Sequence, residues 1–175
     1  MRVNIIGKAH PKILQLIQHL VEFSIHELLE SPPPFDLQVT VSLQNQIDDG
    51  NTEGFLRILP EGDTTQFRKE WDLHLVYPNE LHRLKELIFH ECTHLKQALK
   101  GELALYIEKD SIMTKSGYKK AFFWKGNFFC WTDDIAYTDD DISKGKKGPQ
   151  DLPWELEAYF NMSRLSQLHK KLTLG

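Results

Sequence analysis

The chain has 175 residues, of which 41% are hydrophobic and 26% charged, values that are ordinary for one globular domain. With 21 Lys and Arg residues against 25 Asp and Glu residues, the formal net charge is -4, which excludes the strong positive field that attracts nucleic acids and anionic lipids. Two cysteines, Cys92 and Cys130, are too few for a disulfide framework, and the N-terminus lacks the apolar segment of a secretory signal. We therefore expect one cytoplasmic domain over residues 1–175, with neither nucleic acid nor membrane as a partner.

The first half of the chain predicts one helix followed by three strands. Apolar residues recur at spacings of three and four from Pro11 to Leu29, which predicts an amphipathic helix that ends at three successive prolines. Apolar and polar residues then alternate from Phe35 to Gln44, the pattern of a half-buried strand. Two further strands are predicted over Gly54–Leu59 and Trp71–Tyr77, and a proline follows each of them.

The second half predicts two helices separated by an aromatic hairpin. Residues 79–100 predict a helix with a polar cap at its start. The stretch 119–131 is rich in aromatic residues around Lys125-Gly126-Asn127, which predicts a β-hairpin. Residues 132–150 are dominated by Asp, Lys and Gly and predict a mobile surface loop. A last helix is predicted from about Pro153 to Leu172, so that the elements together indicate an α+β fold.

The predicted helix over 79–100 contains His90-Glu91-Cys92-Thr93-His94, which fits the pattern H-E-x-x-H. Helical residues four apart lie on one face, about 5–6 Å apart at Cβ, so that His90 and His94 can bind one Zn²⁺. Glu91 lies about 100° further round the helix, where its carboxylate can take a proton from zinc-bound water. The motif therefore predicts a zinc site with His90 and His94 as ligands and Glu91 as the catalytic base.

The alternative is a chance arrangement of two histidines and a glutamate on an ordinary helix. The apolar stripe of this helix includes Leu84, Ile88 and Cys92, and His90 and His94 face away from it. The histidines are therefore not expected inside the main core, and simple exposure to solvent is the competing interpretation. Cys92 lies on the stripe, so we expect it to pack in the core and not to bind the metal.

A catalytic zinc usually takes three protein ligands, so a third must come from further along the chain. A metzincin would have glycine at position 97 and histidine at position 100, where this chain has Gln97 and Lys100, and a SprT-type protease would have histidine in place of Ala98. The remaining candidates for the third ligand are His169, Glu155 and Glu157. The two acids both flank the apolar stripe of the last helix, so hydrophobic periodicity does not decide between them.

From Trp71 to its end, the sequence resembles the gluzincin metallopeptidases, particularly the short ones of bacteria and phages. In that family the third ligand is typically a glutamate in the pattern Glu-x-x-Ala or Glu-x-x-Ser, and Glu155 with Ala158 fits it. The resemblance therefore implies Glu155 as the third ligand, with Glu157 as a partner of a zinc-bound histidine. It also implies a zincin-like fold, in which a small, mostly antiparallel, twisted sheet packs on the N-terminal helix, the motif helix and the C-terminal ligand-bearing helix. An edge strand of that sheet would pair with an extended peptide.

These features predict a zinc metallopeptidase that hydrolyses peptide bonds in a peptide or protein substrate, with Zn²⁺ as its cofactor. The alternative is a zincin-like module that binds a peptide or protein partner with little or no turnover. Glu91 argues against that alternative, because a purely structural zinc site gains nothing from this acid. A hydrolase associated with nucleic acids has only the basic cluster of Lys115, Lys119 and Lys120 to support it.

Three further residues have two possible roles each. Gln97 lies on the histidine face of its helix, where it either forms a hydrogen bond near the metal or reaches solvent. Tyr137 and Tyr159 are candidates for stabilising the oxyanion of a peptide hydrolysis, because both are near the region of the third ligand. Ordinary packing is the more common role of a tyrosine.

Overall fold

The computed structural model describes residues 1–29, 32, 36–45, 53–57, 69–76, 80–108, 119–132, 135–137 and 152–174. The helices formed by these residues are α1 (Pro11–Leu28), α2 (Leu81–Leu99) and α3 (Pro153–Leu174). The strands are β1 (Arg2–Ile6), β2 (Gln38–Gln44), β3 (Gly54–Leu56), β4 (Glu70–Val76), β5 (Leu103–Glu108), β6 (Lys119–Trp124), β7 (Asn127–Thr132) and β8 (Ile135–Tyr137). The fold is α+β, as the sequence predicts.

The described residues divide into two compact units. The first comprises the residues up to Arg57, the segment Lys69–Lys96 and the residues from Ala158 onward, and the second contains Gln97–Glu157. The boundaries between the units fall inside two helices. One lies after Lys96 in α2 and the other lies before Ala158 in α3, so each of these helices has residues in both units. The predicted single domain over 1–175 stays a prediction.

The first unit contains a four-stranded sheet in the order β1-β2-β4-β3. Strand β1 pairs with β2 and β2 with β4 in parallel, whereas β3 runs antiparallel to β4 at one edge. Parallel neighbours need a long crossover, and α1 supplies it between β1 and β2. The predicted mostly antiparallel sheet is therefore wrong for this unit, where the sheet is mixed, because α1 returns the chain in the same direction.

Alternation of apolar residues places the core of this unit. The buried side chains of the two central strands are Val39, Val41, Trp71, Leu73 and Leu75, each separated from the next in its strand by one less buried residue. Helix α1 buries the apolar stripe that the sequence predicts, namely Ile17, Leu20, Val21, Ile25 and Leu28. Its first turn is capped by His10, whose Nδ1 accepts a hydrogen bond from the backbone N–H of Lys12 at 3.3 Å.

The second unit contains an antiparallel sheet in the order β5-β6-β7-β8. Its β6–β7 hairpin confirms the prediction from the sequence, since Trp124 pairs with Asn127 around the two-residue turn Lys125-Gly126. Both turn residues have positive φ, 43° for Lys125 and 91° for Gly126, as a type I′ turn requires.

Three strands are not predicted by the sequence analysis: β1, β5 and β8. Strand β1 has mixed polarity and β8 has only three residues, whereas β5 is a mostly apolar run without alternation. Strand β3 ends at Leu56, and residues 58–59 of the predicted strand lie outside the described part of the chain. Within the predicted loop over 132–150, residue 132 ends β7 and residues 135–137 form β8, so the prediction of a loop is wrong there, and the other residues of that loop are outside the described part. Within the described residues, no helix is long and apolar enough to cross a membrane.

Candidate metal centre

The H-E-x-x-H motif lies in the middle of α2, as the sequence predicts. One helical turn separates His90 from His94, and their Nε2 atoms lie 3.1 Å apart with the ring planes at 83°. Two ligands of a tetrahedral zinc ion, each about 2.05 Å from the metal, would be about 3.3 Å apart. The two imidazoles therefore converge with nearly the separation that a shared metal ion requires.

Glu155 is the third member of this group. His90, His94 and Glu155 each offer one ligand atom, and these atoms lie within 4.8 Å of one another. Two imidazole nitrogens and a carboxylate oxygen form a donor set suited to zinc and to other divalent transition metals. The group can therefore hold a metal ion, and three protein ligands would leave a fourth position for water or substrate.

The motif face of α2 is more buried than the sequence analysis suggests. His94 is 8% exposed and Glu91 only 4%, and every residue from Glu91 to Ala98 is buried. The competing interpretation of histidines simply exposed to solvent is therefore wrong for His94. Burial matters for chemistry, because charges interact more strongly where water is excluded.

Strand β3 comes close to Glu91. A Cβ atom placed on Gly54 would lie 3.4 Å from Oε1 of Glu91, so the strand backbone passes directly beside this carboxylate. Strand β3 is an outermost strand of its sheet. The sequence analysis predicts a strand at Gly54 but not its contact with the motif, because the two segments are far apart in the chain.

A cavity of about 190 Å³ lies beside the motif. Its lining includes Gly54, His90 and Glu91, together with the ion-paired side chains of Glu53, Arg83 and Glu86. Arg83 donates hydrogen bonds to both of these carboxylates, and the pairing with Glu53, followed by that with Glu86, raises the pKa of its guanidinium. The sequence analysis missed these residues. Helical spacing could have identified two of them, because Arg83 and Glu86 precede His90 by seven and four positions on one face of α2.

Tyr159 contacts the motif directly. Its ring packs against that of His90, with centroids 4.8 Å apart at 60°, and it also lines the cavity. The side chain is 46% exposed, so it is not a simple core residue. The other predicted candidate, Tyr137, lies in β8, and its side chain is outside the described part of the structure.

The two remaining candidates for the third ligand are placed elsewhere. Glu157 accepts a hydrogen bond from Nε2 of Gln97 at 2.9 Å through Oε2, and its Oε1 lies 3.7 Å from Nζ of Lys125. His169 is buried among aromatic rings and contacts Phe23 and Phe89. Among the described residues, the metal-binding group thus contains Glu155 and neither of these two.

Cys92 behaves as the sequence predicts. It is fully buried, and burial raises the pKa of its thiol to about 12. A thiol with such a pKa stays protonated at neutral pH and is a poor metal ligand. Cys92 therefore lies between the two histidines as a core residue and not as a metal ligand.

Comparisons with models of protein families, with curated proteins and with solved structures find no match to this chain. The resemblance to the gluzincins rests on the residues alone, above all on H-E-x-x-H and Glu155. What the structure adds is a His-His-Glu group whose ligand atoms converge, beside a buried glutamate.

Proposed function

We propose that this protein is a zinc-dependent peptidase of the gluzincin type with a zincin-like arrangement of its motif helix and edge strand. The observation behind the proposal is the convergence of His90, His94 and Glu155 within 4.8 Å, with Glu91 next to the first histidine. A site that only stabilised the fold would have no use for this fourth residue. A site that hydrolyses peptide bonds needs a base at this place.

His90, His94 and Glu155 would hold the metal, and Glu91 would carry out the proton transfers. When bound, the metal would supply a Lewis acid that polarises a carbonyl group and lowers the pKa of water. The carboxylate of Glu91 then takes a proton from the attacking water and later gives it to the departing amine. Because Glu91 is buried, its carboxylate is largely shielded from bulk solvent during these two steps.

The substrate class follows from the strand beside the site. An extended peptide can add to the outer edge of β3 through backbone hydrogen bonds, which is the common mode of recognition at a sheet edge. At Gly54 the face of this strand lies beside Glu91, so a peptide added along the strand would run close to the base. We therefore propose an extended peptide or an unfolded segment of a protein as the substrate.

Substitution of Glu91 by glutamine tests this function. The amide has nearly the same shape but cannot accept a proton, and Glu91 is not a proposed ligand. We expect Glu91→Gln to retain one zinc ion per chain, measured by elemental analysis of protein purified without a histidine tag. We expect its cleavage of an unstructured peptide library, followed by mass spectrometry, to fall by about 10²–10⁴-fold.

Glu80→Gln is the matched control, because it removes an exposed carboxylate of the same region that does not line the cavity. Its cleavage rate should stay within a few-fold of the wild type. Equal cleavage by wild type and Glu91→Gln would contradict the proposal. If the wild type binds zinc and extended peptides but cleaves none of them, the protein is a binding module with a zincin-like site.

A further inference from the structure

We propose that Gln97 and Lys125 are positioning residues of the metal site, which act through Glu157 on the first turn of α3 that contains Glu155. This inference rests on the metal site of the proposed function and not on its peptidase activity. It assigns a role to the β6–β7 hairpin turn, which contains none of the proposed ligands.

Gln97 holds the turn of α3 on both sides of Glu155. Its side chain is fully buried, and Nε2 donates to the backbone oxygen of Trp154 at 3.0 Å and to Oε2 of Glu157 at 2.9 Å. The first acceptor precedes Glu155 by one residue and the second follows it by two. A buried amide with two such acceptors has a single favourable orientation, so it restricts the position of this turn.

Lys125 holds the other oxygen of Glu157. Its Nζ lies 3.7 Å from Oε1 of Glu157 and 4.6 Å above the ring of Trp124, whose centroid is 6.3 Å from that of Trp154. The two carboxylate oxygens of Glu157 are thus engaged by different residues, Oε2 by Gln97 and Oε1 by Lys125. The hydrogen bond and the ion pair together restrict the orientation of the carboxylate.

Backbone hydrogen bonds close the arrangement into a ring. The N–H of Lys125 donates to the oxygen of Glu102 at 2.9 Å, and the N–H of Glu102 donates to the oxygen of Gln97 at 2.8 Å. These two backbone hydrogen bonds attach the hairpin turn to the end of α2, and they do not depend on the side chain of Lys125. The four contacts thus form a closed loop. Side chains connect Gln97 to Glu157 and Glu157 to Lys125, and backbone hydrogen bonds connect Lys125 to Glu102 and Glu102 to Gln97.

The turn itself does not explain why residue 125 is a lysine. At φ 43° the backbone of Lys125 is in the left-handed region, where lysine is unfavourable and asparagine or glycine is preferred. Asn-Gly is the best sequence for a two-residue turn of this type. A lysine at this position makes the turn less stable than asparagine would. The interactions of Lys125 with Glu157 and Trp124 explain why a lysine is nevertheless present.

The substitution Lys125→Asn separates positioning from both stability and charge. It should preserve or raise the midpoint of thermal unfolding of the metal-free protein, because asparagine suits the turn. Loss of a positive charge near a cation site would by itself tighten metal binding. We expect the opposite, a loss of about two- to fivefold in Zn²⁺ affinity, the size expected when a partly exposed ion pair is removed.

Gln97→Met should have the larger effect, because it removes both hydrogen bonds while retaining the length of the side chain. We expect a loss of about 10–100-fold in Zn²⁺ affinity, as is usual for residues that hold metal ligands in place. The visible spectrum of the Co²⁺ form should also change, since it reports the geometry of the ligands. In the double variant the losses should not add, because both residues act through Glu157.

The Zn²⁺ affinity of the wild type and of each variant is measured by competition with a chelating dye. Lys171→Asn is the control for the loss of one exposed lysine. Unchanged or tighter binding in Lys125→Asn would overturn the proposal, even if Gln97→Met failed to fold. A wild type that bound no metal would overturn it together with the metal site. A wild type that bound metal but cleaved no peptide would contradict the peptidase function alone.

Discussion

Gly54 lies beside Glu91, and strand β4 leaves little room for a side chain at this position. A Cβ atom at position 54 would be 3.1 Å from Cδ2 of Leu75, 3.3 Å from the backbone oxygen of His74 and 3.4 Å from Oε1 of Glu91. The first two distances are tighter than ordinary van der Waals contacts and both lead to β4, so it is the pairing of β3 with β4 that favours glycine here, whereas the distance to Glu91 is an ordinary contact.

The contact predicts the effect of Gly54→Ala. The added methyl group should push β3 and β4 apart by a few tenths of an ångström at Leu75 and His74, at a cost of about 1–3 kcal/mol in the free energy of unfolding. We expect peptide cleavage to fall by at least about tenfold, because a shift of β3 displaces the proposed peptide-binding strand relative to the base. Zn²⁺ affinity should change little, since Gly54 supplies no ligand atom to the metal-binding group. Cleavage at the wild-type rate would show that this close approach is unimportant.

The ligand set predicts a ranking of metal affinities. His90→Ala, His94→Ala and Glu155→Ala should each lose more than about 100-fold in Zn²⁺ affinity, because each removes a direct ligand. Glu157→Ala should lose less, since this residue supports the turn and is not in the group. Titration of metal-free protein with Zn²⁺ measures all four variants. If Glu157→Ala abolished binding and Glu155→Ala did not, the assignment of the third ligand would be wrong by two residues.

His169 predicts a dependence of stability on pH. Burial lowers the pKa of its imidazole, and the positive charges of Lys85 and His19 lower it further. As the pH falls below about 6.5, His169 therefore takes up a proton in the unfolded chain before it does so in the folded protein. The free energy of unfolding decreases in that range. Above it, His169 is neutral in both states and contributes no slope.

The variant His169→Phe tests this, because phenylalanine fills the same aromatic surroundings without a titrating group. Urea unfolding at several pH values between 5 and 8 should show a shallower loss of stability in acid than the wild type. His26→Gln is the control, since the His26 side chain is 79% exposed. An unchanged slope in His169→Phe would refute the assignment.

Cys92 predicts selective protection of a thiol. With Cys130 replaced by alanine, the Cys92 thiol should not react with a disulfide reagent at pH 8 in the native protein, because burial excludes the reagent and raises its pKa to about 12. It should react fully in guanidinium. Separately, Cys92→Ala should leave Zn²⁺ affinity unchanged, whereas a large loss would identify the thiol as a ligand.

Features that depend on neighbouring residues could be predicted from the sequence. The spacing of four between His90 and His94 requires only a helix to bring the imidazoles together, and the structure places their Nε2 atoms 3.1 Å apart. The hairpin turn at Lys125-Gly126 is equally local, because two positive φ angles suffice to reverse the chain. The stripe that buries Cys92 follows from helical periodicity in the same way.

Tertiary structure alone decided the features that join distant segments. Glu155 and Glu157 lie in the same first turns of α3 and on either side of its apolar stripe, so local periodicity treats them alike, and the structure groups Glu155 with the histidines. The contact of Gly54 with Glu91 is a further feature of this kind. The physical reason is that helical and turn geometry is set within a few residues by backbone dihedral angles, whereas the partner of a side chain across the fold is chosen by packing of the whole chain.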